Sequence, residues 1–205
     1  MQKLFLASLF KEVAHQFAKF AGEPLAGKRV AFIPTASAPD KSLKFHMWYS
    51  RKLLMRMGLA VDELEVSTAA SDEITDKLER CDYIYVAGGN TFFLLQEMNR
   101  SGAVEAVRAQ VRAGKLFVGE SAGAILAAPN IEYSKDMDDP SAAPNLKAYD
   151  SLHLVDFYPV PHYKNYPLKK AADLMIEKYS ATLPLVPIRN SQAILVTGTE
   201  KQIVP

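Results

Sequence analysis

Only one cysteine, Cys81, occurs in the 205 residues, which excludes an internal disulfide and any multi-cysteine metal site. Charge of one sign is also scarce. The net charge is +1 and the Lys and Arg residues are scattered, so neither a nucleic acid nor a membrane surface is an expected partner. No run of 18 apolar residues is present, so no spanning helix is expected. The opening MQKLFLASLFKEVAHQF is interrupted by Lys11, Glu12 and His15, which does not suit a secretory signal; a cytoplasmic location is the expectation. The phosphate loop G-x-x-x-x-G-K-[ST], the dinucleotide turn G-x-G-x-x-G and the zinc motif H-E-x-x-H are all missing. DMDDP (136–140) lacks the glycine of a calcium loop and has Lys147 where its final glutamate belongs. No metal and no cofactor is expected.

An apolar content of 49% and a charged content of 23% are ordinary for a soluble chain, and the length suits one domain, 1–205. The apolar period alternates between strand-like and helix-like. KLFLAS (3–8), KRVAFIPTAS (28–37), AVDELEV (60–66), DYIYVAGG (82–89), KLFVG (115–119), LHLVDFYPV (152–160), LPLVPI (183–188) and QAILVTG (192–198) read as strands, the last pairing with QIVP. Helical spacing fills most of the gaps, as in Phe10–Phe20, 42–58, 71–81, from Thr91, 104–111 and 168–179. Trp48, Tyr83 and Tyr85 are expected in the core. Strands alternating with helices predict an α/β three-layer sandwich, a mostly parallel sheet with helices on both faces. Its site should lie beyond the carboxyl ends of the strands. The segment 130–150 has neither period and is expected to be a functional or disordered loop.

Gly119-Glu120-Ser121-Ala122-Gly123 follows one such strand and matches the nucleophile-elbow pattern, where a serine hydroxyl projects from a sharp strand-to-helix turn. A serine nucleophile needs a base within hydrogen-bond reach, and the base needs an orienting group. Of the four histidines, His15 and His46 lie in helical patterns and His153 opens a strand, whereas His162 falls just past a strand end on the same edge as Ser121. Asp136, Asp138, Asp139 and Asp156 are the acids that could orient it. The N–H of Ala122 suits one oxyanion donor, and the turn Gly88-Gly89-Asn90 lets backbone approach a substrate and supply another. Asn90 also suits a helix N-cap.

AGGNTF (87–92), GESAGAILAAP (119–129) and PHY (161–163), in this order and spacing, resemble the aspartyl dipeptidases of the peptidase E family and, more distantly, the cyanophycinases. The resemblance implies a three-layer α/β fold related to class I glutamine amidotransferases. It also implies cleavage after an N-terminal aspartate without metal or cofactor. It puts the nucleophile on Ser121, the base on His162, an aspartate fifteen positions after the serine on Asp136, and the oxyanion donors on Gly89 and Ala122.

Two positions depart from the family pattern. Family members often carry a carboxylate in the turn between the last two main strands, where this chain reads IRNSQA and offers Asn190. An amide can orient an imidazole but cannot balance its positive charge, so Asp136 and Asn190 both stand as the third member. The arginine that reads the substrate aspartate falls near Lys169 or Lys170, with Arg189 as a further cation; lysine lacks the bidentate fork, so looser selectivity is expected. The expected activity is hydrolysis of short peptides, first of all dipeptides with N-terminal aspartate. An isopeptide, β-aspartyl peptide or small ester on the same machinery is the alternative, and a retired hydrolase that only binds is a third reading. Both monomer and homodimer are compatible with the apolar patterning.

Overall fold

Where short apolar runs end at turn residues, the chain forms β1 (Lys3–Ala7), β2 (Arg29–Ile33), β3 (Ala60–Glu63), β4 (Tyr83–Val86) and β5 (Leu116–Glu120). These strands are the parallel part of a seven-stranded sheet of order β3-β2-β4-β5-β1-β8-β9. Its far edge is antiparallel, made by β8 (Ala193–Thr197) on β1 and β9 (Glu200–Val204) on β8. The computed structural model describes residues 1–205, except for the side chains of Lys41 and Lys44.

Strand alternation sends successive side chains to opposite faces and thereby builds two cores. On β4, Tyr83 and Tyr85 join Phe5, Phe32 and Val118 beneath α1 (Phe10–Ala21) and α2 (Lys44–Arg56). Ile84 and Val86 join Leu6, Ile33 and Phe117 on the other face, under α3 (Ser71–Arg80), α4 (Thr91–Ser101) and α5 (Ala103–Arg112). Tyr85 is fully buried, edge-on to Phe10 at 5.1 Å between ring centres and stacked on Phe32 at 5.2 Å. The tyrosines are therefore packing residues, as expected, and the layers are those of the three-layer sandwich.

Three expectations are corrected. Of the run 152–160, only Tyr158–Val160 is a strand (β6), and it pairs in parallel with β7 (Leu185–Pro187) in a separate two-stranded sheet. The preceding residues find other acceptors. Leu152, His153, Leu154 and Val155 donate their N–H groups to the carbonyls of Leu126, Ala128 and Ala127, beyond α6 (Ala122–Ile125). The helix expected after the Ser121 strand-to-helix turn is correspondingly a single turn, and His153 takes a left-handed φ of 45° instead of opening a strand. Trp48 is not core: it is 51% exposed and stacks on an exposed Phe45, because α2 is fastened through Ser50 and Leu54 on another side. Helical spacing identifies an apolar stripe but not the direction it faces.

The segment 130–150 is folded onto the body. Two 3-10 turns, Glu132–Asp136 and Pro140–Ala142, punctuate it, and the buried Tyr133 hydroxyl donates to the Pro159 carbonyl at 2.6 Å. No helix among the described residues is long and apolar enough to cross a membrane.

Candidate active site

The carboxyl ends of β1, β4 and β5 meet at one edge of the sheet, and Ser121 leaves β5 there. Its φ of 50° and ψ of −108° are a strained conformation for a residue with a side chain, of the kind that persists only when the surroundings enforce it. The surroundings are specific. The Ser121 N–H donates to the Ala7 carbonyl at 2.9 Å, and its own carbonyl accepts from Ala124 and Ile125 at 2.9 and 3.0 Å. The flanking glycines permit the close packing of this turn. A Cβ on Gly119 would lie 2.4 Å from the Gly123 oxygen, and one on Gly123 would lie 2.2 Å from the Val86 oxygen. Both approaches are far inside van der Waals contact.

The hydroxyl so presented meets His162. Ser121 Oγ lies 2.8 Å from His162 Nε2, and His162 Nδ1 lies 2.8 Å from Asn190 Oδ1. An amide oxygen can only accept, so Nδ1 carries the proton and Nε2 offers its lone pair to the serine. Burial, partly opposed by the bond to Asn190, holds the imidazole below its ordinary pKa and favours the neutral ring. His162 sits at φ 62° in the turn after β6, while Asn190 follows β7 and is tied back by its N–H to Asn165 Oδ1 at 2.9 Å. The two-stranded sheet thus brings imidazole and amide together across 28 residues of sequence.

The glycine turn closes the site from the β4 side. Gly89 has a φ of 140°, and a Cβ there would collide with the Ala36 oxygen at 2.2 Å, so only glycine fits. A Cβ on Gly88 would lie 3.1 Å from the Ser121 Cβ, which puts this turn directly beside Ser121. Among the described residues, the N–H groups of Gly89 and Ala122 have no backbone acceptor. Asn90 caps α4, accepting from Phe93 N–H at 2.9 Å, and its amide donates to the Asp139 carbonyl at 2.9 Å.

The acids are distributed differently. Asp136 receives the Lys178 ammonium of α7 (Lys169–Tyr179) at 2.5 Å and makes no hydrogen bond to His162. Asp138 accepts from the Thr91 N–H at 3.0 Å and from its hydroxyl, fastening the 130–150 segment to the start of α4; burial raises its pKa to about 6. Asp139 caps the second 3-10 turn, and Asp156 is an exposed partner of His153 at 3.1 Å. The three candidate cations make no hydrogen bond to Ser121 or His162 among the described residues. Lys169 is exposed and paired with Asp173 at 2.9 Å, and Lys170 and Arg189 are exposed. No group of three or more His, Cys, Asp or Glu suited to a metal ion occurs among the described residues.

Two neighbours of the site were not among the expected residues. Ser8, at the end of β1, donates to Asn190 Oδ1 at 3.0 Å and accepts the His162 backbone N–H at 2.8 Å. Glu120, next to Ser121, points into the opposite layer and is buried. It accepts from Tyr85 Oη at 2.6 Å, Phe10 N–H at 2.8 Å and Ser50 Oγ at 3.3 Å, and burial raises its pKa. A polar residue ending an otherwise apolar strand was the available signal for both.

Comparison with known proteins shows the family and the fold. The model of Peptidase family S51 matches residues 4–204. An uncharacterized peptidase of Pasteurella multocida is 50% identical over 99% of this chain and 97% of its own length. A crystal structure of a candidate peptidase E protein from Listeria monocytogenes superposes with a TM-score of 0.94 at 45% identity, covering 100% of this chain and 98% of that one. Peptidase E of Streptomyces coelicolor is 33% identical over 67% of this chain and 52% of its own length. The chain belongs to peptidase family S51.

Proposed function

We propose that this peptidase is of the serine type and hydrolyses short peptides, foremost dipeptides with N-terminal aspartate, without metal or cofactor. The observation that carries the reading is the unbroken hydrogen-bonded series from Ser121 through His162 to Asn190, at 2.8 Å for each link, behind a strained serine.

In this reading Ser121 Oγ attacks the scissile carbonyl as its proton passes to His162 Nε2. The tetrahedral oxyanion is held by the N–H groups of Gly89 and Ala122. His162 then returns the proton to the leaving amine, and a water repeats the sequence on the acyl-enzyme. Asn190 keeps the proton on Nδ1 throughout. Because the Asp136 carboxylate is engaged by Lys178, it is assigned a structural role. The neutral third member leaves the imidazolium formed in each step without a counter-charge, so a slow turnover with an acid-tolerant profile is expected. Lys169, Lys170 and Arg189 are the cations that a substrate carboxylate would have to recruit, and only the first is ion-paired.

The test is free-aspartate release from Asp-Leu, run beside Leu-Leu and β-Asp-Leu. Cleavage confined to Asp-Leu and lost by at least about 100-fold in Ser121→Ala supports the reading. Hydrolysis in Ser121→Ala within tenfold of wild type sinks the mechanism, and preference for β-Asp-Leu moves the substrate to isopeptides.

A further inference from the structure

We propose that Ser8 is a positioning residue that selects the orientation of the Asn190 amide and, through it, the proton-accepting tautomer of His162. Its consequence for turnover rests on the serine-peptidase reading above; its geometry does not.

A carboxylate in third place has no wrong way round, since both of its oxygens accept. A carboxamide has one accepting oxygen and one donating nitrogen, separated by a half-turn. With Oδ1 toward the ring, His162 must carry its proton on Nδ1, leaving Nε2 free to take the serine proton. With Nδ2 toward the ring, the amide donates to Nδ1, the ring proton moves to Nε2, and Ser121 faces a donor that cannot accept from it. An asparagine in this place therefore needs a group that distinguishes its two ends.

Ser8 is placed to do so. It has no solvent exposure, so each of its hydrogen-bonding capacities must be met by protein. One lone pair is committed to a donor of fixed sign, the His162 backbone N–H at 2.8 Å. Its own proton goes to Asn190 Oδ1 at 3.0 Å, and that oxygen also takes the Nδ1 proton at 2.8 Å. The Ser8 hydroxyl, Asn190 Oδ1 and the Nδ1 proton are then all satisfied. In the turned amide, Nδ2 would face the Ser8 oxygen, and the hydroxyl proton would be left with only Nδ1, 3.4 Å away and already occupied. A buried donor without an acceptor disfavours that arrangement by about 10-fold or more. The same strand end also holds the nucleophile, because the Ala7 carbonyl accepts the Ser121 N–H at 2.9 Å. Residues 7 and 8 thus set the relative position of Ser121 and His162.

The experiment is nitrogen NMR of the whole chain labelled in the imidazole rings, at a pH where His162 is neutral, with its signals identified by their loss in His162→Gln. The wild-type ring is expected to be protonated on Nδ1 and bare on Nε2. Ser8→Ala is expected to shift population toward the Nε2-protonated ring and to lower kcat by about 10- to 100-fold, with KM changed less than about threefold. Ser8→Thr, which keeps the hydroxyl, should retain the wild-type tautomer. In an Asn190→Asp background, where the third member has no wrong way round, Ser8→Ala should leave the tautomer unmoved and cost less in kcat than it does beside Asn190.

A wild-type ring protonated on Nε2 overturns the proposal without any variant, so a Ser8→Ala chain that fails to fold does not shelter it. An unchanged tautomer in folded Ser8→Ala overturns it too, as does an equal loss of kcat in both backgrounds. If the wild type hydrolyses no peptide, the proposed function fails while the spectrum still decides the role of Ser8.

Discussion

Replacing Asn190 with aspartate exchanges an amide for a carboxylate of the same shape, 2.8 Å from His162 Nδ1. The sign of the result follows from the base. In the proposed mechanism His162 acts only when neutral, and burial keeps its pKa below the ordinary value of about 6.5. The wild-type kcat/KM therefore climbs with pH along a limb centred below that value and is flat above it. A carboxylate stabilises the imidazolium and moves the limb to higher pH. With ring and carboxylate charge centres about 4 Å apart and an effective dielectric constant of about 20, the attraction is about 4 kcal/mol, or about 3 pH units as an upper bound. The range common for an opposite charge at this separation is about 1 to 3 units. The assay is kcat/KM for aspartate release from Asp-Leu between about pH 4.5 and 9, on folded protein throughout. Asn190→Asp should lose activity on the acid side and match or exceed the wild type on the plateau, where the carboxylate balances the developing imidazolium. A limb that stays in place or moves down would refute the reasoning, since it would mean that residue 190 does not face the base in the working enzyme.

Three further outcomes follow from the same contacts. Asn190→Ala should lower kcat/KM by about 100-fold or more, whereas Asp136→Asn, which disturbs only the bond from Lys178, should stay within about tenfold; the reverse order would return the third place to Asp136. Because Asp138 has a folded pKa near 6, above its unfolded value, its contribution to stability is present at low pH and is lost as pH rises from about 4 to about 6. Asp138→Asn should accordingly gain on wild type by about 1 to 3 kcal/mol across that window in urea unfolding at several pH values, and a difference independent of pH would contradict the assignment. Gly89→Ala must displace the Ala36 carbonyl or give up a φ of 140°; it should lose about 2 kcal/mol or more of stability together with most turnover, and an unperturbed variant would show that the turn is not as tight as described.

The parts of the site that were legible in the sequence are those encoded locally. Apolar runs closed by glycine or serine announced β4 and β5. The G-x-S-x-G spacing announced a turn whose glycines leave no room for a Cβ, which would fall within 2.4 Å of backbone oxygens, and a histidine just past a strand end was the one candidate base on the right edge. Such features depend on neighbouring residues, and the physics that shapes them acts over a few bonds. Sequence left undecided whatever depends on which distant segments come together. Helical spacing marked Trp48 as apolar but could not tell inward from outward, because that choice belongs to the layer on which α2 packs. The alternation in 152–160 suited a strand, yet residues 152–155 found their hydrogen-bond acceptors in the turn after α6. Asp136, favoured by the resemblance, and Asn190 were both candidates for the third place; the β6–β7 pairing carries Asn190 to the ring, and α7 carries Lys178 to Asp136. Ser8 had no signal beyond ending a strand, since its partners lie 154 and 182 residues away. The chain by itself determined the fold class and pointed to Ser121 and His162; tertiary structure decided what lies against that imidazole, because a hydrogen bond of about 3 Å is set by the packing of whole strands and not by spacing along one of them.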